Sequence, residues 1–233
     1  MHPARLARIG VVGTGHGVGT TTVAAAIAAG MRASGVRVGT LKPISCGSVA
    51  DAERLRAATG STDPLELVSP VRFADPLAPL VAARRARTMV DIGALDHAFG
   101  MMSATRGAVI VDATGPLLTP ITESESFATL FARWQLGVVL VAPNARDAVG
   151  SVLAAVSVAR SHALALQAVV LTTLAPAPAF GTGAERTNQA VLKELLRTVP
   201  VVALPHTPSP GDPGALAALA REFATRATLT RPA

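Results

Sequence analysis

Apolar and β-branched residues collect in six short runs, separated by longer stretches rich in alanine and leucine. The runs fall at residues 9–12 (broken by Gly10), 36–41, 108–112, 137–142, 168–172 and 199–204. They are near-continuously hydrophobic, the pattern of strands covered on both faces. Such strands separated by helices predict an α/β fold, one parallel sheet with helices on both faces. The alanine-rich residues 23–31 read as the first helix and 215–228 as the last. Proline- and glycine-rich stretches at 175–183 and 206–214 are short, so they read as surface loops around a site. With no internal repeat, a single domain over residues 1–233 is expected.

Composition narrows this picture. Half of the 233 residues are hydrophobic but only 3% are aromatic, which suits closely packed helices and not a base-stacking surface. No apolar run reaches the roughly 18–20 uncharged residues needed to cross a bilayer, so no membrane association is expected. Residues 1–8 lead straight into the first strand, so no signal peptide is expected. Cys46 is the sole cysteine, which rules out an intrachain disulfide and suits the cytoplasm. The formal charge of +6 comes almost wholly from arginine, since the only lysines are Lys42 and Lys193. The arginines are scattered, and the one tight cluster, Arg84, Arg85 and Arg87, reads as a solvated helix face. No nucleic-acid partner is expected.

Between the first strand and the first helix lies Gly13-Thr14-Gly15-His16-Gly17-Val18-Gly19-Thr20-Thr21-Thr22. Strand, glycine loop, then helix opening on hydroxyl residues is the context of a phosphate-binding P-loop. Backbone N–H groups turned inward, with the positive end of the helix, would hold phosphate over Gly15, His16, Gly17, Val18, Gly19, Thr20, Thr21 and Thr22. The usual ending is Gly-Lys-Ser/Thr; here Thr20 stands in the lysine position. Two more strand ends carry chemistry. Lys42 follows the second strand in Leu41-Lys42-Pro43-Ile44-Ser45-Cys46-Gly47, where ligands of open α/β sheets bind. Asp112 ends the run 108–112 and is followed by small residues, the way Mg²⁺-binding acids are presented beside a P-loop.

Taken together, these segments resemble the dethiobiotin synthetase family of the P-loop NTPase superfamily. Gly13-Thr14, Val18-Gly19 and Thr21 match its glycine loop, and Lys42-Pro43-Ile44-Ser45-Cys46-Gly47 its Lys-Pro-Val-x-Ser-Gly segment. Asp51-Ala52, the stretch from Phe73 to Pro79, Asp112 to Pro116, Thr119-Pro120 and Phe127-Ala128 follow in the family's order. The resemblance implies a cytoplasmic homodimeric ligase that uses ATP and Mg²⁺ to close 7,8-diaminopelargonate and CO₂ into a cyclic urea. It implies that Thr21, Asp51 and Asp112 hold Mg²⁺, with Asp112 in place of a glutamate. Thr21 and Lys42 would be the catalytic residues, Lys42 meeting the carbamate or the phosphate in flight. Thr14, His16, Lys42, Ser45, Gly115 and Gly150 would line the diamine site, and Thr172, Pro205 and His206 would meet the nucleotide base.

Four departures accompany the likeness. Thr20 removes the loop lysine, a loss comparable to that of a preorganised transition-state donor, roughly 10²–10³ in kcat. His16 replaces a threonine, Gly150 an asparagine that reaches substrate across the dimer, and Thr172-Thr173 an adenine-reading Asn-Asp pair. One rival reading is a non-catalytic descendant that keeps nucleotide or substrate binding. Another is a partitioning-type ATPase, against which stands the lack of a second loop lysine and of a basic or amphipathic surface element.

Overall fold

The structure is a computed structural model and describes residues 6–174 and 183–206. Six parallel strands form one sheet: β1 (Ala7–Gly13), β2 (Val38–Leu41), β5 (Ala108–Asp112), β6 (Gly137–Pro143), β7 (Leu166–Thr172) and β8 (Val201–Leu204). Their order is β2-β5-β1-β6-β7-β8. The six expected strands are these six. Between β2 and β5 the chain makes an excursion through β3 (Ile44–Cys46), α2 (Ala50–Thr59), α3 (Leu65–Val68), β4 (Val71–Phe73), α4 (Pro79–Arg85) and α5 (Ile92–Thr105). β3 and β4 pair in parallel as a separate two-stranded sheet that the hydrophobic pattern does not predict. At three residues each, they are too short to show a period.

Helix α1 (Thr20–Ala33) lies on one face of the sheet. Ala24, Ala25, Ala26 and Ala28 are fully buried there among Val11, Ile110, Val139, Val141 and Val170. Their methyl groups let the helix settle close to the strands. The helix begins three residues before the alanine-rich stretch, because the threonine triplet forms its first turn. The other face is covered by α5, α6 (Phe127–Arg133), α7 (Ala148–Ser161) and α8 (Gly183–Leu196), over Val12, Val109, Val111, Leu140, Val169 and Leu171. Burying a side chain of this size contributes roughly 1.5–3 kcal/mol. Gly10 interrupts the first run for a packing reason: a Cβ there would stand 2.4 Å from the Phe131 ring.

Arg84 and Arg85, at the end of α4, are exposed and pair with Glu123 at 2.8 Å and Asp75 at 2.9 Å. Among the described residues no helix is long and apolar enough to cross a membrane. The expected helix at 215–228 and nearly all of both proline- and glycine-rich loops lie outside the described residues.

Candidate nucleotide and metal site

Strand register brings the chemistry together. β2 and β5 pair Leu41 with Val111, so Lys42 and Asp112, the next residues, meet at the carboxyl edge of the sheet. β1 pairs with β5 through Val11 and Asp112, which sets the glycine loop beside the same point. Asp51 arrives from the first turn of α2, where an acid interacts favourably with the helix N-terminus.

The loop is pinned from several sides. Thr14 N–H donates to the Val141 carbonyl at 2.8 Å. Gly17 and Gly19 adopt φ of 68° and 93°, a region that L side chains rarely enter. Thr172 is buried, and its hydroxyl donates to the carbonyls of Val18 at 2.8 Å and Ala142 at 3.2 Å. At the start of α1, Gly19 provides no side-chain cap and the first turn has no acid. The amide groups and partial positive charge of that terminus therefore face the loop uncompensated, as an anion site requires.

Beneath the loop, Asp112 is fully buried. Its Oδ2 accepts from Thr21 Oγ1 at 2.7 Å and from Lys42 Nζ at 2.9 Å. Lys42 Nζ is also 3.8 Å from Asp51 Oδ2, while Asp51 Oδ1 lies 3.5 Å from Arg54 Nη1. Asp112 Oδ1 has no hydrogen-bond partner among the described residues. No group of three or more His, Cys, Asp or Glu side chains fit for a metal occurs among the described residues. The donor set here is a hydroxyl and two carboxylates, the hard oxygen ligands that Mg²⁺ takes when phosphates complete its shell. The orphaned carboxylate oxygen and the ammonium seated on this set both fit a cation requirement.

A cavity of about 160 Å³ opens above these groups. Of the expected site residues, Gly15, His16, Gly17, Thr20, Lys42, Ser45, Asp51 and Gly115 line it, joined by Cys46, Ser48, Ala113 and Thr114. Gly115 has φ of 105°, and a Cβ on it would stand 2.6 Å from Thr119 Oγ1 and 3.3 Å from the His16 ring, so glycine makes room for both side chains. Ser45 is buried and shares a 2.8 Å hydrogen bond with Ser69. The Cys46 thiol is pushed up to about 11 by burial, which outweighs the opposing pull of the Lys42 ammonium. It is a wall residue and a poor nucleophile at neutral pH.

Other expected residues stand outside the cavity lining. Thr21 and Asp112 lie behind its wall, and Val18 is tucked under the loop. Gly150 is exposed in the first turn of α7 with nothing within 4 Å of a Cβ. His206 Nδ1 is 3.4 Å from the Thr173 carbonyl, beyond the end of β8, with Pro205 beside it. Ser48 and Thr114 carry no sequence signal because they act through a turn amide and a backbone carbonyl, and Ser69 because its partner, the Ser45 hydroxyl, lies 24 positions away.

A larger hollow, about 420 Å³, lies at the opposite edge of the sheet between Arg32, Arg37, Thr59, Asp63 and Arg106. It is open, it adjoins the C-terminal ends of α1 and α2, and Arg106 is spent on Asp63 at 2.6 Å. Its size does not outweigh the converging groups and carboxyl-edge placement of the smaller cavity.

Sheet order, glycine loop and buried Thr–Asp contact together define a P-loop NTPase-type domain. Residues 7–211 match the family described as an AAA domain. The ATP-dependent dethiobiotin synthetase BioD of Anaeromyxobacter dehalogenans strain 2CP-C is 35% identical over 202 residues, 85% of this chain and 89% of that protein. The enzyme of the same name from Gloeobacter violaceus is 34% identical over 214 residues, covering 91% and 92%. The chain belongs to the dethiobiotin synthetase family. Among solved structures, pNOB8 ParA bound to nonspecific DNA superposes with a TM-score of 0.59 at 10% identity, covering 98% of this chain and all of that one. A Borrelia burgdorferi B31 plasmid partition protein bound to AMPPNP gives 0.59 at 12% identity, covering 97% and 100%. At such identities the likeness is one of fold.

Proposed function

We propose that the protein is a dethiobiotin synthetase, closing 7,8-diaminopelargonate and CO₂ into dethiobiotin at the expense of ATP. The observation that carries this reading is the Thr21–Asp112–Lys42–Asp51 constellation under a P-loop in a chain of this family. One amine of the diamine takes up CO₂ as a carbamate, with loss of a proton. A carbamate oxygen attacks the γ-phosphorus and ADP leaves; the second amine then attacks the carbamoyl carbon and phosphate leaves. This is phosphoryl transfer followed by ring closure, and positioning and charge neutralisation dominate its cost.

The loop amides of residues 15–20 and the α1 terminus hold the phosphates. Mg²⁺, held by Thr21, Asp51 and Asp112, would neutralise phosphate charge. Lys42 supplies the positive charge that meets the carbamate or the transferring phosphoryl group, a duty that falls to it more heavily because Thr20 brings none. Ser45, Thr14 and His16 orient the amine-bearing chain, and Gly115 gives the His16 ring its place. Thr172, whose donor is spent on the loop, meets the base only as an acceptor; Pro205 and His206 flank it. Gly150 leaves the α7 end of the substrate path, at the face of a homodimer, without an amide. In this reading the protein acts in the cytoplasm.

A second reading has its own observation. Thr20 lines the cavity where the family's lysine would reach phosphate, which favours a descendant that binds without turning over. Phosphate release with Mg-ATP and bicarbonate, with and without 7,8-diaminopelargonate, separates the two. Diamine-dependent phosphate together with dethiobiotin is expected. Binding of diamine or nucleotide without either product would overturn the ligase in favour of the descendant.

A further inference from the structure

Lys42 rests in a place that conflicts with its task. Its ammonium sits 2.9 Å from Asp112 Oδ2, the oxygen that Thr21 Oγ1 also uses at 2.7 Å, and 3.8 Å from Asp51 Oδ2. Those three side chains are the donors assigned above to the divalent cation. Mg²⁺ binds oxygen at about 2.0–2.1 Å in near-octahedral geometry, so it and an ammonium on the same oxygens exclude each other by volume and by charge. Lys42 is 5% exposed, Asp112 is fully buried, and Asp112 Oδ1 has no hydrogen-bond partner among the described residues. The buried carboxylate is therefore charge-balanced chiefly by Lys42. Asp51, by contrast, keeps Arg54 within 3.5 Å and is not stranded if Lys42 departs.

We propose that Lys42 is a stand-in cation: it balances Asp112 and Asp51 until a divalent cation displaces it, and displacement delivers the ammonium to the anion in the cavity. The proposal rests on the reading of Thr21, Asp51 and Asp112 as metal donors. It also accounts for how a site without a loop lysine holds its buried acid. Lys42 is the sole lysine lining the cavity, so one positive charge serves first the carboxylates and then the substrate. Metal and Lys42 engagement become ordered, the metal first. A purely structural ion pair would keep Lys42 on Asp112 throughout.

Mn²⁺ binding to the nucleotide-free full chain, read from the free-ion paramagnetic resonance signal, tests the competition. Lys42→Met, which keeps the side-chain length and removes the charge, should bind Mn²⁺ roughly tenfold tighter than wild type, within the range usual for coupled binding. Equal or weaker binding, including none to either protein, overturns the proposal. The wild-type chain offers a second arm, because Lys42 and Lys193 are its only lysines and Lys193 is exposed on α8. With lysine labelled at Cε, a Mg²⁺ titration should move the Lys42 resonance toward that of Lys193 and leave Lys193 in place. A Lys42 signal that stays put through the titration overturns the proposal even if Lys42→Met does not fold. Failure to form dethiobiotin would remove the ligase reading and leave both metal readouts intact.

Discussion

At residue scale the site turns on Thr20. Its side chain reaches the cavity wall with a hydroxyl where a lysine would bring a charge, while the loop amides and Thr21 are retained. Thr20→Lys should raise the rate of phosphate release, by up to roughly 10²-fold if the missing donor is worth what such donors usually are. No gain in steady-state kinetics would mean that the loop has been rebuilt around threonine and that Lys42 already neutralises the charge. Cys46 gives a prediction of the opposite kind. Burial pushes its thiol up to about 11, so at pH 7 to 8 almost none of it is thiolate. Iodoacetamide should label the folded protein far more slowly than the urea-unfolded chain, and Cys46→Ser should leave ligase turnover within about twofold. Fast labelling of the folded protein would contradict the half-buried wall position.

At the scale of elements, the loop between β1 and α1 owes its shape to a distant strand end. Thr172, the last residue of β7, fastens the Val18 carbonyl from 154 positions away. Thr172→Val removes that donor at nearly constant volume and leaves the Val18 carbonyl short of a partner, a loss of about 1–3 kcal/mol locally. The expected result is a raised KM for ATP with kcat less affected, and recovery in Thr172→Ser; a change in kcat alone would argue against loop positioning. This contact also marks the limit of what the chain discloses before folding. The six strands are legible because each is a hydrophobic run bounded by polar or turn residues, and Lys42 and Asp112 are legible because both stand at strand ends. That the two should share one carboxylate oxygen with Thr21 is a matter of strand order, β2 beside β5 beside β1, which no local pattern encodes. β3 and β4 are too brief to declare themselves. Gly10 looks like a flaw in the first strand until Phe131 is seen packed against it.

At the scale of the whole molecule, both ends of the sheet carry a buried or half-buried ion pair, with different consequences for acid stability. At the carboxyl edge, Lys42 and Asp112 belong to the site. At the amino edge, Arg106 at the end of α5 grips both oxygens of Asp63, at 2.6 and 2.8 Å, and ties the segment after α2 to the start of β5. Burial works to raise the Asp63 carboxyl, but hydrogen bonds from Arg106 and Ser61 and the Arg106 charge outweigh it and hold it below its ordinary value. A carboxyl lowered on folding adds stability that is fully present above its unfolded value of about 3.9 and is lost as pH falls through the folded value. Asp63→Asn should therefore cost about 1.5–3 kcal/mol at pH 7, the worth of hydrogen bonds to a charged group. The deficit should shrink as pH falls below about 4 and close once wild-type Asp63 is itself protonated. Urea melts of both proteins from pH 7 to 2 read this directly. A deficit that persists unchanged at the acid end would assign the loss to side-chain shape, and the amino-edge ion pair would then have no part in acid unfolding.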